Sequence, residues 1–171
     1  MQKVITAILL LTLSLVSIIG GAIGCAEEEE ITPTELLPVN VSVLPAETLF
    51  SGKEATHLRF SFSVENPNTI PITLEGITFN VYGDDNLLGM VAIQEAYWIP
   101  AGKEIRVNEL LTVAFFHLYV NFMLVGKAQE APAFYGQIGE GAITYQIEGR
   151  AEITSEIGPL TSKFSGQTSA R

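Results

Sequence analysis

Beyond position 25 the chain has no cysteine, so no disulfide can form within the segment that follows. A domain built from that segment must hold together by its core alone. Histidine is nearly as scarce. His57 and His117 stand apart, and neither is spaced from another histidine or a cysteine as zinc ligands are. Each is read as a surface or satisfied structural side chain. Basic residues are few: after position 24 there are 8 of them against 19 acidic ones, a net charge of −11. That balance argues against nucleic-acid binding and against electrostatic attachment to anionic lipid. The motifs of common chemistries are missing as well. There is no Gly-x-Ser-x-Gly, no phosphate-binding loop and no Cys/His pair. Gly136-Gln137-Ile138-Gly139-Glu140-Gly141 is rich in glycine but has no lysine, and the stretch Ala131 to Gly141 is read as a loop. No cofactor is implied, and an enzyme is a poor fit.

Charge is also absent from Val4 to Gly24, a run rich in leucine, isoleucine and valine. Lys3 precedes it, and the small residues Gly20-Gly21-Ala22 lie near its end. A positive start, an apolar stretch and a small-residue end describe an export signal. Ala22-Ile23-Gly24-Cys25 resembles the lipobox of prokaryotic lipoproteins, with Ala22 where leucine is commoner. The resemblance implies cleavage before Cys25 and acylation of its sulfur. An uncleaved anchor is the competing reading, since a spanning helix needs roughly 20 apolar residues. Both readings place the remainder at the cell membrane, facing outside the cytoplasm. Residues 1–24 are therefore expected to be a lipoprotein signal peptide, and 25–37 an acidic tether. Glu27-Glu28-Glu29-Glu30 repel one another and keep the tether extended. Four adjacent glutamates do not converge on one cation without a fold around them.

The next roughly 130 residues are enough for one domain. Leu58, Phe60, Phe62 and Val64 alternate with Arg59, Ser61 and Ser63, as in a half-buried strand. Asn66-Pro67-Asn68-Thr69-Ile70-Pro71 follows. Two prolines so close cannot sit in a central ladder, because each lacks the N–H the ladder needs, and asparagine favours turns. This is read as a corner. The next strand, Ile72 to Tyr82, changes face: Ile72 and Leu74 are even, while Ile77, Phe79 and Val81 are odd. Gly76 sits at the switch, which predicts a β-bulge. Gly83-Asp84-Asp85-Asn86 predicts a tight hairpin turn into Leu87 to Gln94. Further strands are expected at Val39–Val43, Lys103–Val113, Ala142–Ile153 and Leu160–Ser165, with Leu44 to Thr56 and Ala96 to Gly102 as connections and 167–171 as a polar tail. Glu109 falls on the inward side of its strand and breaks the alternation. Ala114 to Val125 has no period of two; His117 and Asn121 are four apart, which predicts a short helix stopped at Gly126. The sum is an all-β fold, an immunoglobulin-like antiparallel β-sandwich of about seven strands with one short helix.

Two constellations invite a functional reading. Asp84 and Asp85, with Glu95 as a third ligand, could begin a Ca²⁺ site, although turn chemistry accounts for the aspartates and no metal is assigned. Tyr97, Trp98, Phe115 and Phe116 are candidates for a partner or lipid surface; filling of the core between helix and sheet is the reading favoured for them.

The order of features resembles the late embryogenesis abundant type-2 family, whose core is the water-stress and hypersensitive-response (WHy) domain. The residues that carry the resemblance are the alternating strand into Asn66-Pro67-Asn68, then Ile70-Pro71-Ile72, Ile77 to Tyr82, Ile99-Pro100-Ala101-Gly102, and Ile143 to Gly149. It covers residues 38–166. It implies a seven-stranded sandwich with one helix, no enzymatic activity, and an association with desiccation tolerance and stress response. Asn66, Pro67 and Asn68 are its family motif, read as structural. The expectation is a lipid-anchored protector of proteins or membrane; the alternative is a structural or adaptor lipoprotein that binds an envelope partner protein.

Overall fold

The computed structural model describes residues 35–170; the predicted signal, Cys25 and the four-glutamate run lie outside the described residues. The alternation of apolar and polar residues resolves into two antiparallel sheets. In the first, β1 (Asn40–Val43) and β2 (Glu47–Ser51) lie end to end along one flank of β3 (Ala55–Glu65), and β7 (Glu104–Ala114) runs along the other. In the second, β5 (Asn86–Ile93) and β6 (Tyr97–Ile99) share one flank of β4 (Ile72–Gly83). On its other flank lies β8 (Thr144–Ser155), and β9 (Gly158–Ser169) pairs beyond β8. Nine segments thus fill seven strand positions. The edges made of β1 with β2 and of β5 with β6 are broken, which gives a neighbouring chain little to pair with there; β7 and β9 are the long edges.

The predicted inward residues do face inward. Leu58, Phe60, Phe62 and Val64 of β3 are buried against Ile77, Phe79 and Val81 of β4 and Tyr145 and Ile147 of β8. The aromatic rings meet edge to face: Phe62 and Phe79 at 4.7 Å between centroids, Phe60 and Tyr145 at 5.5 Å, an arrangement that adds to simple burial. The β4 bulge lies between Leu74 and Gly76. A Cβ on Gly76 would stand 2.7 Å from the carbonyl oxygen of Ile93, so only glycine fits there.

One flank of the sandwich is closed by hydroxyls. The buried Ser162 Oγ accepts the Val39 N–H at 2.9 Å. Thr168 Oγ1 accepts the Ala46 N–H at 3.1 Å and donates to the Leu44 carbonyl at 3.0 Å. Ala46 and Ala170 form a parallel bridge. The expected polar tail is therefore a correction: β9 runs on to Ser169, because Thr168 is needed inside.

Helix α1 (Phe115–Leu124) stands where a helix is predicted. Its end is a two-bond cap around Gly126 (φ 77°): Gly126 N–H donates to Met123 O and Lys127 N–H to Phe122 O. A single 3₁₀ turn (Ala128–Glu130) leads into α2 (Ala131–Gly139), where a loop is expected. The glycines mislead there. Ala131, Phe134, Tyr135 and Ile138 form a helical stripe, all buried; Pro132 lies in the first turn, where its missing N–H costs nothing; and Gly141 (φ 68°) repeats the cap of α1. Strands β2 and β6 are also missed, because Leu49, Phe50 and Trp98 point outward. Glu109 is half-buried on edge strand β7. Its charge helps to raise the pKa of Tyr97, after the hydrogen bond from that phenol to Glu95.

Tyr145 is fully buried, and among the described residues its hydroxyl has no hydrogen-bond partner. Burial pushes its pKa up to about 12 from the ordinary 10. Above pH ~10 the unfolded chain ionises first, so stability falls as pH rises through that interval. Tyr145→Phe should raise stability at pH 7 by about 1 kcal/mol, since it removes an unpaired buried hydroxyl. It should also shrink the loss between pH ~10 and ~12. Urea unfolding at pH 7 and pH 11 checks both.

Candidate functional site

The Asn-Pro-Asn corner sits at the end of β3, and Asn66 is fully buried. Its side-chain amide donates to Ile70 O (2.9 Å), Pro100 O (3.1 Å) and Ile99 O (3.2 Å). Its Oδ1 accepts the Asn68 N–H at 3.0 Å and the Asn68 Nδ2 at 2.9 Å. The Asn66 backbone N–H donates to Lys103 O at 2.9 Å. Asn68 then reaches the incoming chain: its Oδ1 accepts the Leu37 N–H at 2.7 Å and its Nδ2 donates to Leu37 O at 3.0 Å. A side chain thereby pairs with a backbone as a neighbouring strand would. Pro67 keeps Asn66 out of the helical region and so aims it at these carbonyls. The corner joins three stretches far apart in sequence, and every polar atom of the Asn66 side chain is bonded. Such an arrangement holds strands in register; it presents no group for chemistry.

The acidic constellation separates. Asp84 (φ 44°) and Asp85 (φ 65°) occupy the two central positions of the β4–β5 turn, both left-handed as a mirror-image type I turn demands. Asn86 Nδ2 donates to Asp84 O at 2.9 Å. Glu95 lies past the other end of β5, a strand about 25 Å long at ~3.4 Å per residue, and accepts the Tyr97 hydroxyl at 2.7 Å. Among the described residues no three His, Cys, Asp or Glu side chains converge as metal ligands would. The histidines are likewise apart: His57 Nδ1 lies 2.9 Å from Thr112 Oγ1 beside the Phe50 ring, and His117 is exposed on α1.

The aromatic candidates do not form one surface. Tyr97 and Trp98 pair with the start of β4, near the Asn66 corner, whereas Phe115 and Phe116 open α1 at the opposite end of the sandwich. Phe115 packs on Tyr135 at 5.2 Å. Trp98 and Phe116 are exposed, at 65% and 70%. Filling of the core therefore describes Phe115 but neither Trp98 nor Phe116. The larger exposed apolar area includes residues outside those four: Met123 and Leu124 on α1, Val125 just past its end, and Leu87 on β5. A groove of about 390 Å³ between them is lined by Asp85, Asn86, Leu87, Leu118, Asn121, Phe122, Leu124 and Val125. The signal in the sequence is the absence of charge from Phe115 to Val125, which leaves His117 and Asn121 as a narrow polar face beside a wide apolar one.

The family model described as late embryogenesis abundant protein matches residues 61–167. Among solved structures, one from Arabidopsis thaliana is 17% identical, with a TM-score of 0.54, covering 82% of this chain and 87% of that one. A solution structure assigned as a late embryogenesis abundant protein is 13% identical, with a TM-score of 0.50, covering 98% and 86%. One assigned as the ApaA protein from Bordetella pertussis is 9% identical, with a TM-score of 0.52, covering 81% and 98%. At these identities the likeness is one of fold. Among curated proteins none matches the sequence.

Asn66→Ala should destabilise the domain by about 3 kcal/mol, since it leaves several buried carbonyls and the Asn68 amide short of partners. Asn66→Asp keeps the shape but loses the donors. A carboxylate buried there has a raised pKa, so its damage should ease below pH ~4, where the group is protonated in the folded and unfolded states alike. Denaturant melts across pH 3 to 8, set against the parent chain, check both.

Proposed function

This chain belongs to the late embryogenesis abundant type-2 family, and from that membership, together with the lipobox resemblance of Ala22 to Cys25, we propose that it is a non-enzymatic, lipid-anchored β-sandwich that protects proteins or membrane under water stress outside the cytoplasm. The family match carries the non-enzymatic and protective part of the reading, and Cys25 the anchor. The residues that distinguish the family in this sequence, Asn66 and Asn68, bond to backbone within the fold, which is what a scaffold requires and a catalyst does not. Attachment through acyl chains on Cys25 suits a domain of strongly negative charge, which anionic lipid surfaces repel. Among the described residues no helix is long and apolar enough to cross a membrane.

The exposed end of α1 favours a second reading, a lipoprotein that docks an envelope partner. The two differ in what the domain holds, a labile client or one dedicated protein.

Purified full chain at stoichiometric amounts should reduce the aggregation of a labile enzyme through drying and rehydration, read by light scattering and recovered activity. No protection beyond that of an equal mass of serum albumin would sink the protective reading. The anchor has its own check: Cys25→Ala should leave an unprocessed precursor that takes up no label from a radioactive fatty acid, and persistent labelling would refute acylation at Cys25.

A further inference from the structure

Helix α1 is apolar on two sides, one buried and one exposed. Leu118 and Phe122 turn into the end of the sandwich, while Phe116, Tyr119 and Met123, at spacings of three and four, stand in solvent. The helix carries no charged residue. Polar side chains on the outer side are His117 and Asn121, both exposed; the rest of that side is a contiguous apolar stripe, and such a stripe in solvent marks a contact surface. That side continues through Leu124 and Val125 into the groove whose far wall is Leu87. The mouth of the groove is acidic. Asp85 lines it and Asp84 precedes it in the same rigid turn. Among the described residues neither takes part in an ion pair.

We propose that this end of the domain docks an amphipathic cationic segment of a partner protein, with an apolar stripe against α1 and Leu87 and a lysine or arginine against Asp84 and Asp85. The proposal rests on the non-enzymatic, protein-contacting reading given above. Charge chooses the occupant. A second copy would bring another Asp84–Asp85 pair and another strongly negative domain to the same contact, which like charges oppose. An anionic membrane is repelled in the same way, and α1 lacks the lysine and arginine border of helices that lie on lipid. The chain also enters the domain at the other end, where Leu37 is held by Asn68. An apolar segment bearing a cation satisfies both the bare helix and the unpaired carboxylates, in the manner of a helix laid into a groove.

The probe is a fluorescein-labelled peptide of leucine and lysine, about 15 residues long so that it can form a helix, with leucines at helical spacing. It is titrated into the full chain held in phosphatidylcholine nanodiscs, with empty discs as the baseline, and read by anisotropy. Saturable binding is expected, weakened about tenfold or more by Phe116→Ser with Met123→Ser. Both side chains are exposed, so the fold should survive. Asp84→Asn with Asp85→Asn keeps the turn, because asparagine also tolerates left-handed angles, and should weaken binding about threefold or more. A peptide with glutamate for lysine should bind about tenfold less tightly than the lysine peptide. Equal binding of the two peptides, or binding that neither double substitution changes, overturns the proposal. So does a dimer in sedimentation that Phe116→Ser with Met123→Ser abolishes, which would make a second copy the occupant. Insertion of α1 into phosphatidylglycerol discs without peptide, read as protection of its amides from exchange, overturns it in favour of lipid. Protection through drying is scored separately on the same variants. A chain that binds the peptide yet protects nothing refutes the protective reading and supports this surface; a chain that protects but binds no peptide overturns the surface alone.

Discussion

One buried amide sets the frame of this fold. The Asn66 side chain lies where strand β3 ends, and it bonds to two carbonyls of the corner before β7 and one of its own corner. Two sheets packed face to face need a rule for how far one slides along the other, and hydrophobic contact is too indifferent to direction to give it. The Asn66 bonds are directional, and they act at the point where the chain leaves one sheet for the other. Asn68 extends the same constraint to Leu37. The alternating core then fills a space whose offset is already fixed. A half-satisfied network in that position would cost more than an apolar corner, so its worth depends on every atom being matched.

The strands that carry the core were legible because burial on one face writes itself as alternation. Leu58 to Val64, the switch of face at Gly76, the turn at Asp84-Asp85 and the inward series from Ile143 to Ile153 could all be read from residue type and spacing. Helix α1 was legible for the opposite reason, a loss of period two. What escaped were elements whose placement is decided by their neighbours. Strand β2 puts Leu49 and Phe50 into solvent, and β9 continues past a polar stretch because Thr168 is wanted by Ala46 and Leu44. In α2 the glycines hid a stripe of four buried residues. The chemistry of the Asn66 corner marks it as structural, but its partners near Pro100 and Leu37 are more than thirty residues away, and local sequence does not name them. The aromatic candidates show the same limit: they divide between two ends of the sandwich according to which strands they follow.

The two ends of the domain have different characters. At one, the incoming chain and both corners are drawn together by side-chain amides. At the other, two helices cover the core with Leu118, Phe122, Phe134 and Ile138 inward and leave a second apolar layer outside. The first end is saturated with internal bonds and the second is unsaturated in contact. A scaffold that keeps its sequence-specific residues inside and its unmatched surface at the far end suits a protein that works by touching others.

The hydroxyl closure bears on how the molecule is made. Val39 bonds to Ser162 and Ala46 to Thr168, across separations of 123 and 122 residues. The segment around β1 therefore finds these partners only when β9 is present. Contacts so distant in sequence slow folding, because a long loop must close before they are gained. An emerging chain that lacks β9 has an open flank, without Ser162 and Thr168 to close it.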